Sequence, residues 1–331
     1  MPLHTRRDLA LLGLSALPSM RAAVRSKAEW SAIREQTLAG MRDVMGPLPD
    51  TPTGKPDVKF LDEAVFPRFT RRKITFASGD GDFVPAYLFV PKDRHGRGRA
   101  ALCLHQTVSI GKDEPAGLGG KPNLHYALEL AERGFVTLAP DYPRFGDYKI
   151  DPYKMGYVSA TMKGIRNHRR AIDLLVSMPE VDKRRIAVIG HSLGGHNALF
   201  VAMFDPRIAA VVTSCGFTAF TKYYGGDLTG WSHAGYMPRI ATVYEKSPAK
   251  MPFDFPAILQ SLAPRFVFIN APTGDSNFDV TGVQNCVKAA QPVYAEVFHA
   301  PRRLRALHPE CGHDFPPDIR TQAYDFLQES L

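Results

Sequence analysis

From about residue 70 onward, two hydrophobic patterns alternate along this chain. The short runs 100–105, 135–139, 185–189, 208–214, 265–270 and 304–307 are apolar at nearly every position. That is the signature of strands buried on both faces. Between and after them, 124–133 (closed by Gly134), 159–178 and 319–331 carry apolar residues at helical spacing. Upstream, 73–77 and 83–90 flank the turn cluster Ser78-Gly79-Asp80-Gly81-Asp82 and read as an antiparallel hairpin. Residues 28–45 place Trp30, Ile33, Leu38, Met41 and Val44 among charges, a helical pattern ended by the Pro- and Gly-rich passage 46–56. Strand and helix in alternation predict an α/β fold, with a mostly parallel central sheet flanked by helices over 70–331. A helical extension occupies 23–69.

One stretch breaks the alternation. Residues 217–262 hold Tyr223, Tyr224, Trp231, Tyr236, Tyr244, Phe253 and Phe255 among many Gly and Pro, and lie between two sheet strands. Such an excursion belongs above the carboxyl ends of the strands, where open α/β sheets bind ligands. It reads as a cap-like insertion that walls a substrate pocket, with Trp231 and Tyr236 as contact residues. The competing reading is an insertion that packs its own aromatics. On the cap reading, truncating Trp231 or Tyr236 should change KM or acyl preference and shift the melting temperature only slightly.

Length and composition narrow the class. The 331 residues are 44% hydrophobic and 22% charged, values of a globular chain. The net charge of +8 comes from dispersed Lys and Arg with no block of five, which argues against nucleic acid as a partner. Four cysteines, at 103, 215, 286 and 311, show no metal-ligand spacing. Cys103 and Cys215 read as buried thiols, and a Cys286–Cys311 bond stays open. Residues 1–22 contain Arg6-Arg7 followed by a modest apolar run, similar to a twin-arginine export signal. That predicts an exported protein; an amphipathic leader on a cytoplasmic one is the alternative. The run is too short for a permanent membrane span, and stable membrane insertion is not expected.

The candidate chemistry centres on Gly190-His191-Ser192-Leu193-Gly194, between the buried run 185–189 and the start of a helix. A sharp strand-to-helix turn projects the serine hydroxyl, and the flanking glycines avoid collisions of a Cβ with the neighbouring strand or helix. An activated serine needs a base, and the base needs an acid to hold its tautomer. Downstream, the 265–270 run is followed by a loop with Asp275 and Asp279, and Cys311-Gly312-His313-Asp314-Phe315 precedes the last helix. His313 has the chain order and the glycine-framed loop expected of the base. Asp275, inside the loop, is preferred as the acid. Asp279 stands where it would cap a helix beginning at Val280. An oxyanion hole requires two N–H groups. Leu193, after the serine, supplies one, and Thr107, preferred over Gln106 as the next choice, supplies the other. His105 is expected to order that loop, and His196 to serve in packing or hydrogen bonding.

The His105-Gln106-Thr107 loop, Leu138-Ala139-Pro140-Asp141-Tyr142-Pro143, the Gly-His-Ser-Leu-Gly-Gly-His turn and the Cys-Gly-His-Asp-Phe loop resemble the α/β-hydrolase superfamily. Within it they are similar to dienelactone-hydrolase-like and acetyl-xylan-esterase-like bacterial esterases. The resemblance implies a serine hydrolase that cleaves carboxylic esters, such as acylated carbohydrates, without metal or cofactor. Dienelactone hydrolases use a cysteine nucleophile, so Ser192 implies esterase chemistry instead. A prolyl-oligopeptidase-like peptidase and a silent binding protein on a hydrolase scaffold remain as rivals.

Overall fold

The computed structural model describes residues 24–50, 54–79, 81–92 and 96–331. The export leader read over 1–22 lies outside the described residues. The strands are β1 Val58–Val65, β2 Phe69–Gly79, β3 Asp82–Pro91, β4 Gly98–Leu104, β5 Val136–Pro140, β6 Val181–His191, β7 Ile208–Ser214, β8 Phe266–Asn270 and β9 Leu304–Leu307. They form one sheet in the order β1-β2-β3-β5-β4-β6-β7-β8-β9. The first three pairings are antiparallel, and all those from β5 to β9 are parallel. The mostly parallel sheet expected from the alternation is present.

Among the described residues, eight α-helices accompany the sheet: α1 Lys27–Met45, α2 Tyr126–Glu132, α3 Ala160–Ser177, α4 Leu193–Phe204, α5 Arg239–Thr242, α6 Phe255–Leu262, α7 Val280–Pro292 and α8 Pro317–Ser330. Successive strand residues supply opposite faces. Ala100, Leu102, Ile186 and Val188 join the core shared with α1, α3, α4, α6 and α7. Ala101, Cys103, Ala187 and Ile189 join the second core, under α2 and α8. This two-sided burial is why these runs read as continuously apolar.

Three differences from the sequence reading have physical causes. The domain boundary at 70 falls inside a hairpin, because β1 pairs with β2. β1 is an edge strand exposed at most of its positions, so its sequence Val-Lys-Phe-Leu-Asp-Glu-Ala-Val carries no alternation to read. The helical extension is also part of the body of the fold. Met41, Val44 and Met45 are fully buried in the first core, and the Trp30 indole donates to the Gln260 carbonyl at 3.0 Å. Last, the end of the 217–262 excursion is the core helix α6, with Ile258, Leu259 and Leu262 fully buried. All four cysteines are unpaired, so Cys286 and Cys311 are not bonded. No described helix is long and apolar enough to cross a membrane.

The order β5-β4-β6 makes a topological switch point. The chain leaves β4 toward one edge of the sheet and later turns toward the other from β6. Crevices outside the strand ends at such a point are where ligands bind. The His105-Gln106-Thr107 loop leaves β4 there, and Ser192 leaves β6 beside it.

Candidate active site

Ser192 occupies the junction of β6 and α4 with φ 52° and ψ −116°. A non-glycine residue in that region stores on the order of 1–3 kcal/mol of backbone strain. The turn is held by the Ser192 N–H donating to the Ser214 carbonyl of β7 at 2.8 Å. A Cβ on Gly194 would collide with the Leu104 carbonyl of β4, and one on Gly190 with the Gly194 backbone. Both glycines are therefore fixed by close approach of the backbone, as the motif requires. Leu193 is the first residue of α4, and N–H groups of a first turn have no partner within the helix.

On the far side of the switch point, the β4 loop is ordered by His105. Its Nδ1 lies 2.6 Å from the Gln106 carbonyl, and its Nε2 accepts the Tyr142 N–H at 2.9 Å. That pairing fixes Nδ1 as the protonated nitrogen. Burial pushes the imidazole down to about 4, so it stays neutral. The Gln106 amide is drawn back to Glu114 Oε1 at 2.9 Å, leaving Thr107 at the loop's exposed tip.

The two downstream loops bring His313 and Asp275 together. His313 Nδ1 lies 2.9 Å from each carboxylate oxygen of Asp275. The Asp275 side chain is 1% exposed, while that of His313 is 18% exposed. Burial pushes the Asp275 carboxyl up. The His313 hydrogen bond and charge and the N–H groups of Asn277 and Phe278 outweigh burial and hold it below the usual carboxylate range. Asp279 sits outside this pair. Its carboxylate accepts the Thr281 N–H at 2.7 Å and caps α7.

A layer beneath the pair went unread in the sequence. The Asn270 amide, at the end of β8, donates to Ser214 Oγ at 2.8 Å and to the Asp314 carbonyl at 2.9 Å. The Cys215 thiol also reaches the Asp314 carbonyl, at 3.3 Å. His191 packs edge-on against His313 with ring centroids 4.8 Å apart and is tied to Ser214 Oγ at 2.9 Å. These contacts anchor the loop that carries His313. The one clue was a polar Asn ending the apolar run Phe-Val-Phe-Ile. Among the described residues, His191, Cys215 and His313 are also close enough together to hold a metal ion. His313 Nδ1 and the thiol are already committed to the hydrogen bonds just described.

Ser192 and His313 open into a cavity of about 300 Å³, lined also by Gln106, Thr107, His196, Tyr223, Trp231, Tyr236, Asn277 and Phe278. None of the described lining residues carries a permanent charge. Trp231 and Tyr236 are both on its wall, yet Trp231 is only 2% exposed. It packs on Phe220, Phe255, His196 and Phe278 with ring centroids 4.7–6.1 Å apart. The expectation that truncating it would barely change stability is thus corrected: the excursion both packs its own aromatics and walls the cavity. Trp231→Ala is expected to destabilise the protein by about 3–5 kcal/mol, as buried aromatic deletions do. Denaturant melts check this, and a loss under 1 kcal/mol would contradict the packing. His196 is buried, bonded to the Gly216 backbone and pushed down by burial to about 3, a packing and hydrogen-bonding role.

Comparison with solved structures identifies the fold that this strand order belongs to. A glucuronoyl esterase from Solibacter usitatus superposes with a TM-score of 0.75 over 96% of this chain and 100% of that one, at 18% identity. The chain has the α/β-hydrolase fold. Acetyl xylan esterase 1 from a Thermoanaerobacterium species has the same fold, with a TM-score of 0.56 over 92% of this chain and 94% of that one, at 18% identity. The family model "Glucuronyl esterase, fungi" matches residues 153–297 of this chain, from ahead of α3 to beyond α7. An uncharacterized protein from Pseudomonas aeruginosa is 36% identical over 161 residues, 48% of this chain and 41% of its own length. The match thus spans less than half the length of that curated relative.

Proposed function

We propose that this protein is a serine esterase of the α/β-hydrolase superfamily that cleaves carboxylic esters of carbohydrates through an acyl-enzyme. One observation carries the reading: the His313 imidazole, paired with a buried Asp275 carboxylate, shares a cavity with a serine on a strained strand-to-helix turn. Ser192 Oγ attacks the ester carbonyl, its proton passes to His313 Nε2, and the carbonyl electron pair moves onto oxygen. The N–H groups of Leu193 and Thr107 receive that oxyanion. Collapse expels the alcohol, which takes the proton from His313. A water activated by the same imidazole then releases the acid and frees Ser192.

The carbohydrate half of the proposal rests on the cavity wall. Trp231, Tyr223 and Phe278 offer flat apolar faces, and Thr107, Tyr236 and Asn277 offer neutral hydrogen-bonding groups, a lining suited to an uncharged hydroxylated ring. The structural neighbours named for glucuronoyl and acetyl xylan ester cleavage have the same fold, which supports this reading. A panel of aryl esters graded by acyl length tests it, run beside acetylated xylan fragments, a glucuronate methyl ester and a dipeptide amide. Turnover of a sugar ester above the simple aryl esters is expected. Turnover confined to the amide would reject it.

The roles of the two aspartates separate in the same assay. Asp275→Asn is expected to lower kcat by about 10⁴, because an amide leaves His313 in the wrong tautomer. Asp279→Asn is expected to leave kcat within a few-fold, since Asn caps a helix about as well as Asp. The opposite ranking would move the acid role to Asp279.

A further inference from the structure

Two of the hydroxyls in the residues lining the cavity beside Ser192 pair with each other, and their protons do not add up to a closed network. Thr107 Oγ1 and Tyr236 Oη lie 2.8 Å apart. Neither has another hydrogen-bond partner among the described residues. Each hydroxyl carries one proton and two lone pairs. A single mutual bond consumes one proton and leaves the other free to point into the cavity. The phenol, with the lower pKa of the two, is the better donor, so Tyr236 donates to Thr107 Oγ1 and the free proton is on Thr107. Burial pushes the Tyr236 phenol up, against the smaller effect of its Thr107 bond, so it keeps its proton.

The phenol is held in place by contacts far from any reacting atom. The Tyr236 carbonyl accepts the Thr161 N–H at 3.3 Å. Next to it, the Gly235 and Ala234 carbonyls accept the hydroxyls of Tyr142 at 3.1 Å and Tyr153 at 2.7 Å. The ring stacks edge-on against the buried His196, with centroids 5.5 Å apart. Thr107 meanwhile sits on the loop that His105 and Glu114 hold at the end of β4. Both ends of the Tyr236–Thr107 bond are therefore anchored before any substrate arrives.

Building on the serine-esterase reading, we propose that the Thr107 hydroxyl is a third oxyanion donor, beside the N–H groups of Leu193 and Thr107, and that Tyr236 is the positioning residue that aims it. As the Ser192 Oγ–carbon bond forms and the carbonyl pair moves onto oxygen, the Thr107 O–H donates a hydrogen bond and keeps its proton. The serine proton goes to His313, so the balance of the reaction is unchanged. Tyr236 acts through Thr107 and does not itself meet the oxyanion.

Four variants test this: Thr107→Val, which keeps the backbone N–H and the shape, Thr107→Ser, Tyr236→Phe, and the Val/Phe double variant. Loss of one oxyanion donor is expected to lower kcat by about 10²–10³ in Thr107→Val, with KM little changed. Thr107→Ser should stay within about ten-fold of the parent. Tyr236→Phe should lose less than Thr107→Val, and the double variant should be no worse than Thr107→Val alone, because the two act as a unit. The affinity for a trifluoromethyl ketone analogue should fall in step with kcat/KM across the set. A folded Thr107→Val with parental kcat, or a loss expressed only in KM, would overturn the proposal. Should Thr107→Val fail to fold, Thr107→Ser and Tyr236→Phe still decide it through the kcat and analogue comparison. Ser192→Ala run alongside separates the two layers. If it stays active, the esterase reading itself falls. If it is dead while the Thr107 variants turn over normally, only the third donor falls.

Discussion

Ser192→Ala is expected to lose about 10⁶ in kcat, the scale seen when a nucleophilic serine is removed from a working triad. The fold should not suffer. Alanine keeps the Cβ that Ser192 holds at positive φ, so the strain of the turn is the same with either residue. The N–H to the Ser214 carbonyl belongs to the backbone and is kept as well. The serine side chain makes no hydrogen bond that caps α4, so no helix-capping energy is lost with it. Kinetics on an aryl acetate together with a thermal melt check both halves. Substantial residual turnover in the purified variant would mean that another group attacks the ester.

Acidification is expected to destabilise the protein well before the carboxylates of an ordinary surface titrate. Among the described residues, four histidines are buried in neutral form. Burial pushes His105 down to about 4 and His168 and His196 down to about 3, and it also holds His191 well below the usual imidazole value. In the unfolded chain all four titrate near 6.5. Their folded values lie below the unfolded one, so their contribution to stability is complete above about pH 6.5 and is lost as pH falls toward the folded values. Buried Asp141 and half-buried Asp254 work in the opposite direction. Burial raises both to about 6, so unfolding near pH 5 releases two protons against the four taken up. The net uptake remains positive and corresponds to on the order of 3 kcal/mol of stability lost per pH unit between pH 6 and 5. Denaturant melts at pH 7.5 and pH 5 measure it. Equal or greater stability at pH 5 would contradict the neutral burial of these histidines.

The sequence was most legible where one physical requirement dominates a position. β7 begins and ends where its apolar run does, because that strand is buried at all but one of its positions. Gly190 and Gly194 could be read because a backbone contact allows no other residue. The Asp275–His313 pairing followed from chain order, since loops after β8 and β9 open at one end of a parallel sheet. Legibility failed where the deciding contacts are distant in sequence. β1 exists because β2 offers an edge, and its own residues carry no pattern. α6 was absorbed into the aromatic excursion because Pro256 and the flanking aromatics obscure a helix whose burial depends on its neighbours, α1 and α4 among them. The Asn270–Ser214–Asp314 support of the His313 loop joins three separate segments, and no local spacing announces it. The Thr107–Tyr236 bond spans 129 positions and likewise has no local signature.

Covalent capture of the nucleophile tests the central claim most directly. The protein is treated with a fluorophosphonate, and intact mass, peptide mapping and residual esterase activity are followed together. A single adduct on the peptide carrying Ser192, formed in proportion to the loss of activity and absent from Ser192→Ala, is the predicted result. Activity abolished with Ser192 unmodified, or an adduct on another side chain that tracks the inhibition, would contradict it.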